Sequence, residues 1–170
     1  MPGPSSLPSV TRLLLGSDGS TTLLLEALLE EPLIVRVLTQ IPATVGELPA
    51  SARRALAVAE SVPLVLRTSE LRTAQGHRVS ANRVLYPRSG AGWLGGEDTP
   101  LGHRLRGRAT PQYRELLGSG LAVWDPDTLA VCAFKEYLIR CADGSWFYVY
   151  ERFNPRDVPI TVRELEGIGR

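Results

Sequence analysis

The sequence contains few of the residues that build metal centres or disulfide-linked folds. It has two cysteines, Cys132 and Cys141, and two histidines, His77 and His103. The cysteines lie in no Cys/His cluster with zinc spacing, and two of them cannot form the disulfide framework of a small secreted domain. We therefore expect free thiols, and we interpret both histidines as surface residues rather than acid/base groups.

Long apolar runs are also missing. The first residues, MPGPSSLP, carry neither the basic region nor the apolar region of a secretion signal, and no later run is long enough to span a bilayer. We expect a cytoplasmic protein with no membrane contact. Residues 1–10 are rich in proline and serine, which predicts a poorly ordered N-terminal segment.

An excess of charge of one sign is absent too. The 19 basic and 18 acidic residues give a net charge of +1, which provides no field to attract nucleic acid or an anionic membrane. No Walker or Rossmann glycine motif occurs. The glycines of residues 90–96 follow no strand at the required spacing, so we interpret them as a mobile loop.

The pattern of apolar residues and turns predicts one α+β domain across residues 1–170. Several hairpins are separated by helices, which is typical of a single mostly antiparallel sheet with helices packed on one face. The predicted strands, about six, cover residues 33–40, 62–73, 77–86, 121–124, 129–141 and 146–153. The predicted helices cover residues 21–31, 51–60, 99–105 and 110–118.

Residues 146–153 contain the most informative strand. Alternation of side chains places Glu151 on the same face as Phe147, Val149 and Phe153. A carboxylate in an apolar row is costly to bury unless a partner or a ligand compensates it. Glu151 is therefore the first candidate for a functional residue.

Two arginines also interrupt apolar strands, Arg67 in its hairpin and Arg83 on the return strand. One interpretation is a pocket in which arginine binds a carboxylate through paired hydrogen bonds while Glu151 binds a hydroxyl or moves a proton. The alternatives are an internal Arg–Glu pair that only neutralises itself, or a sheet face that is more exposed to water than the pattern predicts. The residues alone leave all three open.

Three motifs occur in an order that resembles the chorismate pyruvate-lyase family. They are Leu66-Arg67 at the opening of a hairpin, Thr99-Pro-Leu-Gly102 before a basic helix, and Tyr150-Glu151-Arg-Phe-Asn-Pro155. The resemblance covers residues 13–155. It implies a mostly antiparallel sheet, a buried site without metal or cofactor, and a carbon–oxygen lyase that eliminates pyruvate from chorismate to give 4-hydroxybenzoate.

The resemblance also implies roles for single residues. Arg67 corresponds to the arginine that binds the ring carboxylate, with backbone N–H groups at about Thr21 and at Leu101. Glu151 corresponds to the residue that meets the product hydroxyl, and our own hypothesis adds that Glu151 holds the C4 hydroxyl of chorismate and assists proton transfer. Arg83 is our own candidate for binding the enolpyruvyl carboxylate or the leaving oxygen. The expected partners are chorismate and 4-hydroxybenzoate, and the expected state is a monomer or weak dimer.

Arg67 departs from the family pattern in one respect. It stands one residue further from its hairpin turn, which indicates either a β-bulge or a register in which Arg67 faces the opposite side.

Two alternatives remain beside the lyase. Effector-sensing domains of some transcription regulators resemble the same fold and bind small molecules, here an aromatic carboxylate, without turning them over. The short N-terminal segment leaves no room for a DNA-binding helix-turn-helix, which favours the enzyme in this interpretation. The other alternative is a lyase that gives a different hydroxybenzoate.

Overall fold

Six β-strands and four α-helices occur in residues 7–90, 99–107 and 110–161, the parts of the chain that the computed structural model describes. The helices are α1 (Ser9–Gly16), α2 (Thr21–Leu29), α3 (Ala50–Leu56) and α4 (Leu101–Gly107). The strands are β1 (Ile34–Ala43), β2 (Leu64–Arg72), β3 (Arg78–Pro87), β4 (Gln112–Asp125), β5 (Ala130–Cys141) and β6 (Trp146–Phe153). Short 3-10 turns cover Val45–Glu47 and Arg88–Gly90.

The strands form one sheet in the order β1-β2-β3-β6-β5-β4, and all neighbours are antiparallel. The β2–β3 and β5–β6 connections turn at Gly76 and Gly144, whose φ angles of 87° and 84° favour glycine. β3 and β6 meet in the centre of the sheet. The predicted α+β fold class and six-stranded antiparallel sheet are confirmed.

The two faces of the sheet carry different layers. On the face that holds Glu151, which we call the inner face, Leu14 and Leu25 of α1 and α2 pack with Phe153. Leu105 of α4 packs farther along the same face. The opposite, outer face is partly covered by α3 and the Val45–Glu47 turn, whose side chains pack on Leu85 and Tyr148 of the sheet. Helical cover is therefore thicker on the inner face, as predicted, but it is not confined to that face.

The prediction was wrong for residues 110–118, which were expected to form a helix. Residues 112–118 belong to β4, which pairs with β5 over most of its length. Two glycines favour the strand, because Cβ atoms at Gly118 and Gly120 would lie only 3.0 and 3.1 Å from the side chains of Glu136 and Phe134 on β5. The close packing between β4 and β5 outweighs the preference of Pro111 for the first turn of a helix.

The N-terminal prediction falls partly outside the described residues, which begin at Leu7. Ser9 and Val10 lie in α1, a helix that was not predicted and that buries Leu14 and Leu15. The glycine-rich stretch from residue 91 to residue 98 and the end of the chain from residue 162 also lie outside. No helix among the described residues is long and apolar enough to cross a membrane.

Candidate functional site

A polar row crosses the apolar inner face of the sheet. Direct pairing aligns Ser69 of β2 with Asn82 of β3, Asn82 with Glu151 of β6, and Glu151 with Lys135 of β5. All four residues are buried. Paired residues share a face, so the facing predicted for Glu151 is the one observed. Burying four polar side chains in one row is costly unless they are compensated.

Glu151 is the centre of this row, with only 6% of its surface exposed. Its Oε2 atom accepts a hydrogen bond of 3.1 Å from the Tyr137 hydroxyl. Burial raises the pKa of the Glu151 carboxyl, and the Lys135 ammonium, the Thr21 and Tyr137 hydroxyls and Arg114 oppose that rise. The carboxyl therefore holds a proton more readily than an exposed glutamate.

A small cavity of about 40 Å³ lies between this row and helices α2 and α4. Glu151, Asn82 and Arg114 line it from the sheet, and Thr21 and Leu101 line it from the helices. A water needs roughly 10–15 Å³ of such space, so the cavity holds only a few waters.

Polar atoms without partners collect around this cavity. Four buried side-chain atoms that line it, or lie on residues that line it, form no hydrogen bond with any group the structure describes: Ser20 Oγ, Thr21 Oγ1, Asn82 Oδ1 and Arg114 Nε. The Thr21 hydroxyl is near enough to lower the pKa of Glu151, although its Oγ1 atom forms no hydrogen bond that meets the distance and angle criteria within the described residues. Buried polar groups are nearly always satisfied, so this cluster indicates that something polar fills the cavity.

The N-terminus of α2 contributes to the same wall. Ser20 occupies the N-cap position but its side chain makes no capping bond, and Thr21 is only 3% exposed. The first N–H groups of a helix have no intrahelical partner and favour negative charge. Gly102 of α4 lies against this end, because a Cβ there would be 2.5 Å from Ser20 Oγ. The two helices thus close the cavity together.

Arg67 reaches the inner face at the other end of the site. It is 6% exposed and lines a second cavity of about 20 Å³ with Tyr86 and Leu101. This cavity shares Ser69 and Leu101 with the first. The β2–β3 ladder is regular at Arg67, and its shift lies between Leu71 and Arg72. The observed register therefore places Arg67 on the side of Glu151.

Arg83 is not brought to this site. It pairs directly with Tyr150, whereas Glu151 pairs with Asn82, so Arg83 and Glu151 point to opposite faces of the sheet. The prediction that Arg83 joins Arg67 and Glu151 does not match this geometry. Alternation within each strand was correct, but it does not state how two strands align.

Lys135 connects the site to α1. Its ammonium donates hydrogen bonds of 3.1 and 3.3 Å to the carbonyl oxygens of Leu14 and Ser17, at the end of that helix. Burial lowers the pKa of Lys135, and the Glu151 carboxylate opposes that shift. The lysine therefore balances the charge of Glu151 and satisfies the helix terminus at the same time.

Sequence reasoning missed Asn82, Arg114, Lys135 and Tyr137. Arg114 was hidden by the wrong helix prediction. Asn82 and Lys135 each sit in an apolar strand, the same signal that singled out Glu151, and that signal could have found them. Their relation to Glu151 depends on strand pairing, which single strands do not reveal.

The side chains of this site can bind a polar molecule by themselves. It offers donors from Arg67, Arg114 and the hydroxyls, and acceptors from Asn82 and Glu151. Among the described residues, no group of three or more His, Cys, Asp or Glu side chains could hold a metal ion.

Comparison with known proteins bears on the fold. No family model matches the sequence, and no curated protein shows significant sequence similarity to it. Solved structures do match. The effector domain of PhnF from Mycobacterium smegmatis has a TM-score of 0.62 at 14% identity, over 86% of this chain and 95% of that domain. The structure of PhnF itself matches with a TM-score of 0.60 at 13% identity, over 89% of this chain and 71% of that one.

A third match is YydK from Bacillus subtilis, described as a possible transcriptional regulator. Its TM-score is 0.57 at 10% identity, over 78% of this chain and 61% of YydK. The chain thus spans less than two thirds of that protein. A GntR-family transcriptional regulator from Enterococcus faecalis gives a TM-score of 0.50 at 8% identity, over 76% of this chain and 99% of that one. The chain shares its chorismate lyase-like fold with these proteins.

These comparisons correct the prediction of an enzyme. The structures that match are described as regulators and as an effector domain, so the lyase assignment is contradicted while the fold is supported. One fold hosts both binding and catalysis, which is why motifs that follow the fold led to the wrong activity.

Proposed function

We propose that this chain is a non-catalytic ligand-binding domain that senses a small aromatic carboxylate through its inner-face site. The observation that carries the proposal is the cluster of unpartnered buried polar atoms around the Glu151 cavity. A ligand that supplies both hydrogen-bond donors and acceptors would satisfy them. The shared fold with the PhnF effector domain supports a binding role.

The charges suggest how the ligand lies. Arg67, at one end, suits a carboxylate through paired hydrogen bonds, with the Leu101 backbone N–H beside it. Glu151 and Asn82 Oδ1, in the middle, accept from a ligand hydroxyl. Thr21 Oγ1 donates to a ligand oxygen. The ligand would thus span the two cavities from β2 to β6.

Binding requires the site to widen. Cavities of about 40 and 20 Å³ are too small for an aromatic ring, and most ligand pockets measure roughly 300–1,000 Å³. Leu101 lines both cavities, so a shift of α4 would merge them. α4 is a short helix of 7 residues that packs on α2 and places Leu105 against the sheet, so its shift would break few contacts.

A titration with 4-hydroxybenzoate tests the proposal. We expect saturable binding by calorimetry, at least about tenfold weaker in Arg67→Gln because a charge-assisted hydrogen-bonded pair is lost. Glu151→Gln should reduce the preference for 4-hydroxybenzoate over benzoate, which lacks the hydroxyl. Arg36→Gln, an exposed arginine on β1, is the matched control and should bind as the parent does.

Two outcomes would contradict the proposal. Formation of 4-hydroxybenzoate from chorismate, followed by its ultraviolet absorbance, would show that the domain is catalytic. Equal affinity for 4-hydroxybenzoate in the parent chain, Arg67→Gln and Arg36→Gln would show that the inner-face site does not bind the carboxylate.

A further inference from the structure

The outer face of the sheet carries a second, larger concavity. It measures about 500 Å³ and lies between the open sheet and the wall formed by residues 47–49. We call it the outer groove, and its charged and aromatic lining consists of Glu47, Arg83, Glu136, Tyr148, Tyr150 and Arg152. The sheet separates it from the inner-face site. Its volume is within the range of small-molecule sites without any movement of helices.

The acidic side chains of the outer groove are already engaged. Glu136 Oε2 accepts a short hydrogen bond of 2.6 Å from the Tyr148 hydroxyl. Glu47 Oε1 accepts the backbone N–H of Thr44 at 3.1 Å, as part of a capping box. Both carboxylates therefore have local roles, and their capacity to hold a cationic ligand is reduced.

The arginines of the outer groove remain available. Arg83 is exposed and forms no hydrogen bond or ion pair with any residue that the structure describes. Arg152 donates through Nη1 to the Val123 carbonyl at 2.7 Å, which leaves most of its N–H donors available. Arg83 pairs with Tyr150, and Arg152 is two residues farther along β6. Arg83 and Arg152 are therefore diagonal neighbours on one face of the sheet, with backbones about 7–8 Å apart.

An aromatic pair lies beside these two arginines. The Tyr150 and Phe134 rings are tilted against each other, with centroids 5.2 Å apart and planes inclined by 32°. Phe134 in turn covers Gly120, where a Cβ would approach its ring to 3.1 Å. Leu48 and Leu85, at the other end of the groove, are buried, with 2% and 1% of their surface exposed. The groove thus offers two guanidinium groups next to an aromatic side chain.

We infer that the outer groove is a second binding site, independent of the inner-face site, for a small aromatic acid. Arg83 and Arg152 bind its carboxylate or sulfonate from two sides, since guanidinium groups form forked hydrogen bonds with such anions. Its ring lies on Tyr150. The ligand should be an anion, because the arginines of the groove have free hydrogen-bond donors whereas its carboxylates are already hydrogen-bonded.

Binding of 2-naphthoate to the full chain tests this inference. We expect saturable binding in the millimolar range or tighter, with NMR shifts at the Tyr150 and Phe134 rings. Arg83→Gln and Arg152→Gln should each weaken binding about tenfold, and the double variant further. Arg36→Gln should not. The neutral amide, 2-naphthamide, should bind more weakly than the acid by a similar factor.

The inference would be overturned by any of four results. These are an absence of saturable binding, equal affinities in the parent and both arginine variants, equal affinities for acid and amide, or shifts confined to inner-face residues such as Asn82 and Val149. Self-association of the chain that is lost in Arg83→Gln, without naphthoate binding, would assign the groove to a second copy instead.

Discussion

Lys135 and Glu151 are direct partners across β5 and β6, and they are exposed by only 1% and 6%. Each opposes the pKa shift that burial causes in the other. Lys135 also binds the carbonyls that end α1, so the charge at the centre of the inner-face site is connected to the N-terminal helix. A substitution at Glu151 should therefore also affect α1.

Replacement of Lys135 by methionine should lower the free energy of unfolding by about 3 kcal/mol, because it leaves a buried carboxylate without its opposite charge. Urea denaturation at neutral pH measures this. The Lys135→Met, Glu151→Gln double variant should recover about 1–2 kcal/mol of that loss, since neither charge then remains unpaired. Additive effects of the two substitutions would contradict coupling between these residues.

The stability of the protein should depend on the protonation of Glu151. Burial raises its folded-state pKa above the usual 4.5, so the folded state binds more protons than the unfolded state between the two values. The free energy of unfolding therefore falls as pH rises through that interval. Denaturation should be measured for the parent and for Glu151→Gln at a series of pH values from about pH 4 upward. The parent should lose stability relative to the variant as the pH rises. Parallel profiles would exclude this contribution.

Gly102 should not tolerate a side chain. A Cβ there would lie 2.5 Å from Ser20 Oγ and 2.9 Å from Thr22 Oγ1, so Gly102→Ala should push α4 away from α2. We expect a loss of about 1–3 kcal/mol by overpacking, measured as a lower melting temperature. Gly107→Ala, with nothing within 4 Å of the added atom, is the matched control in the same helix. Equal melting temperatures would mean that the helices do not meet as described.

His103 should help to hold α4 in place. Its Nε2 atom is 3.0 Å from both carboxylate oxygens of Glu26 on α2. Because His103 is partly exposed, His103→Ala should cost at most about 1 kcal/mol of global stability. It should nevertheless speed hydrogen exchange of the α4 amides selectively. Arg106→Ala, exposed on the same helix, should not, and equal exchange in both variants would rule out this role.

Most of the fold followed from local patterns. β6 was predicted with its observed bounds, because aromatic residues, a glycine turn before it and a proline after it leave little ambiguity. The start of α2 at Thr21 was equally clear. β4 was not, because a helix-like start at Pro111 and two glycines in the strand conceal a pairing that only β5 makes favourable.

The candidate site was predicted only in part. Glu151 and Arg67 were found because a charge in an apolar strand stands out in the sequence. The same rule selected Arg83, which lies on the other face, and overlooked Asn82 and Lys135. The alignment of neighbouring strands decides which of these residues meet, and it depends on contacts far apart in the chain.

The sequence by itself determined the α+β class, the sheet, and the burial of Glu151 among apolar neighbours, since these depend on alternation and turn residues. Only the tertiary structure decided that Lys135 balances that carboxylate, that Arg83 lies in a separate outer groove, and that unpartnered polar atoms collect around a small cavity. It also showed a fold shared with a possible transcriptional regulator and with a regulator's effector domain. These features arise where strands and helices meet, and no single segment contains them.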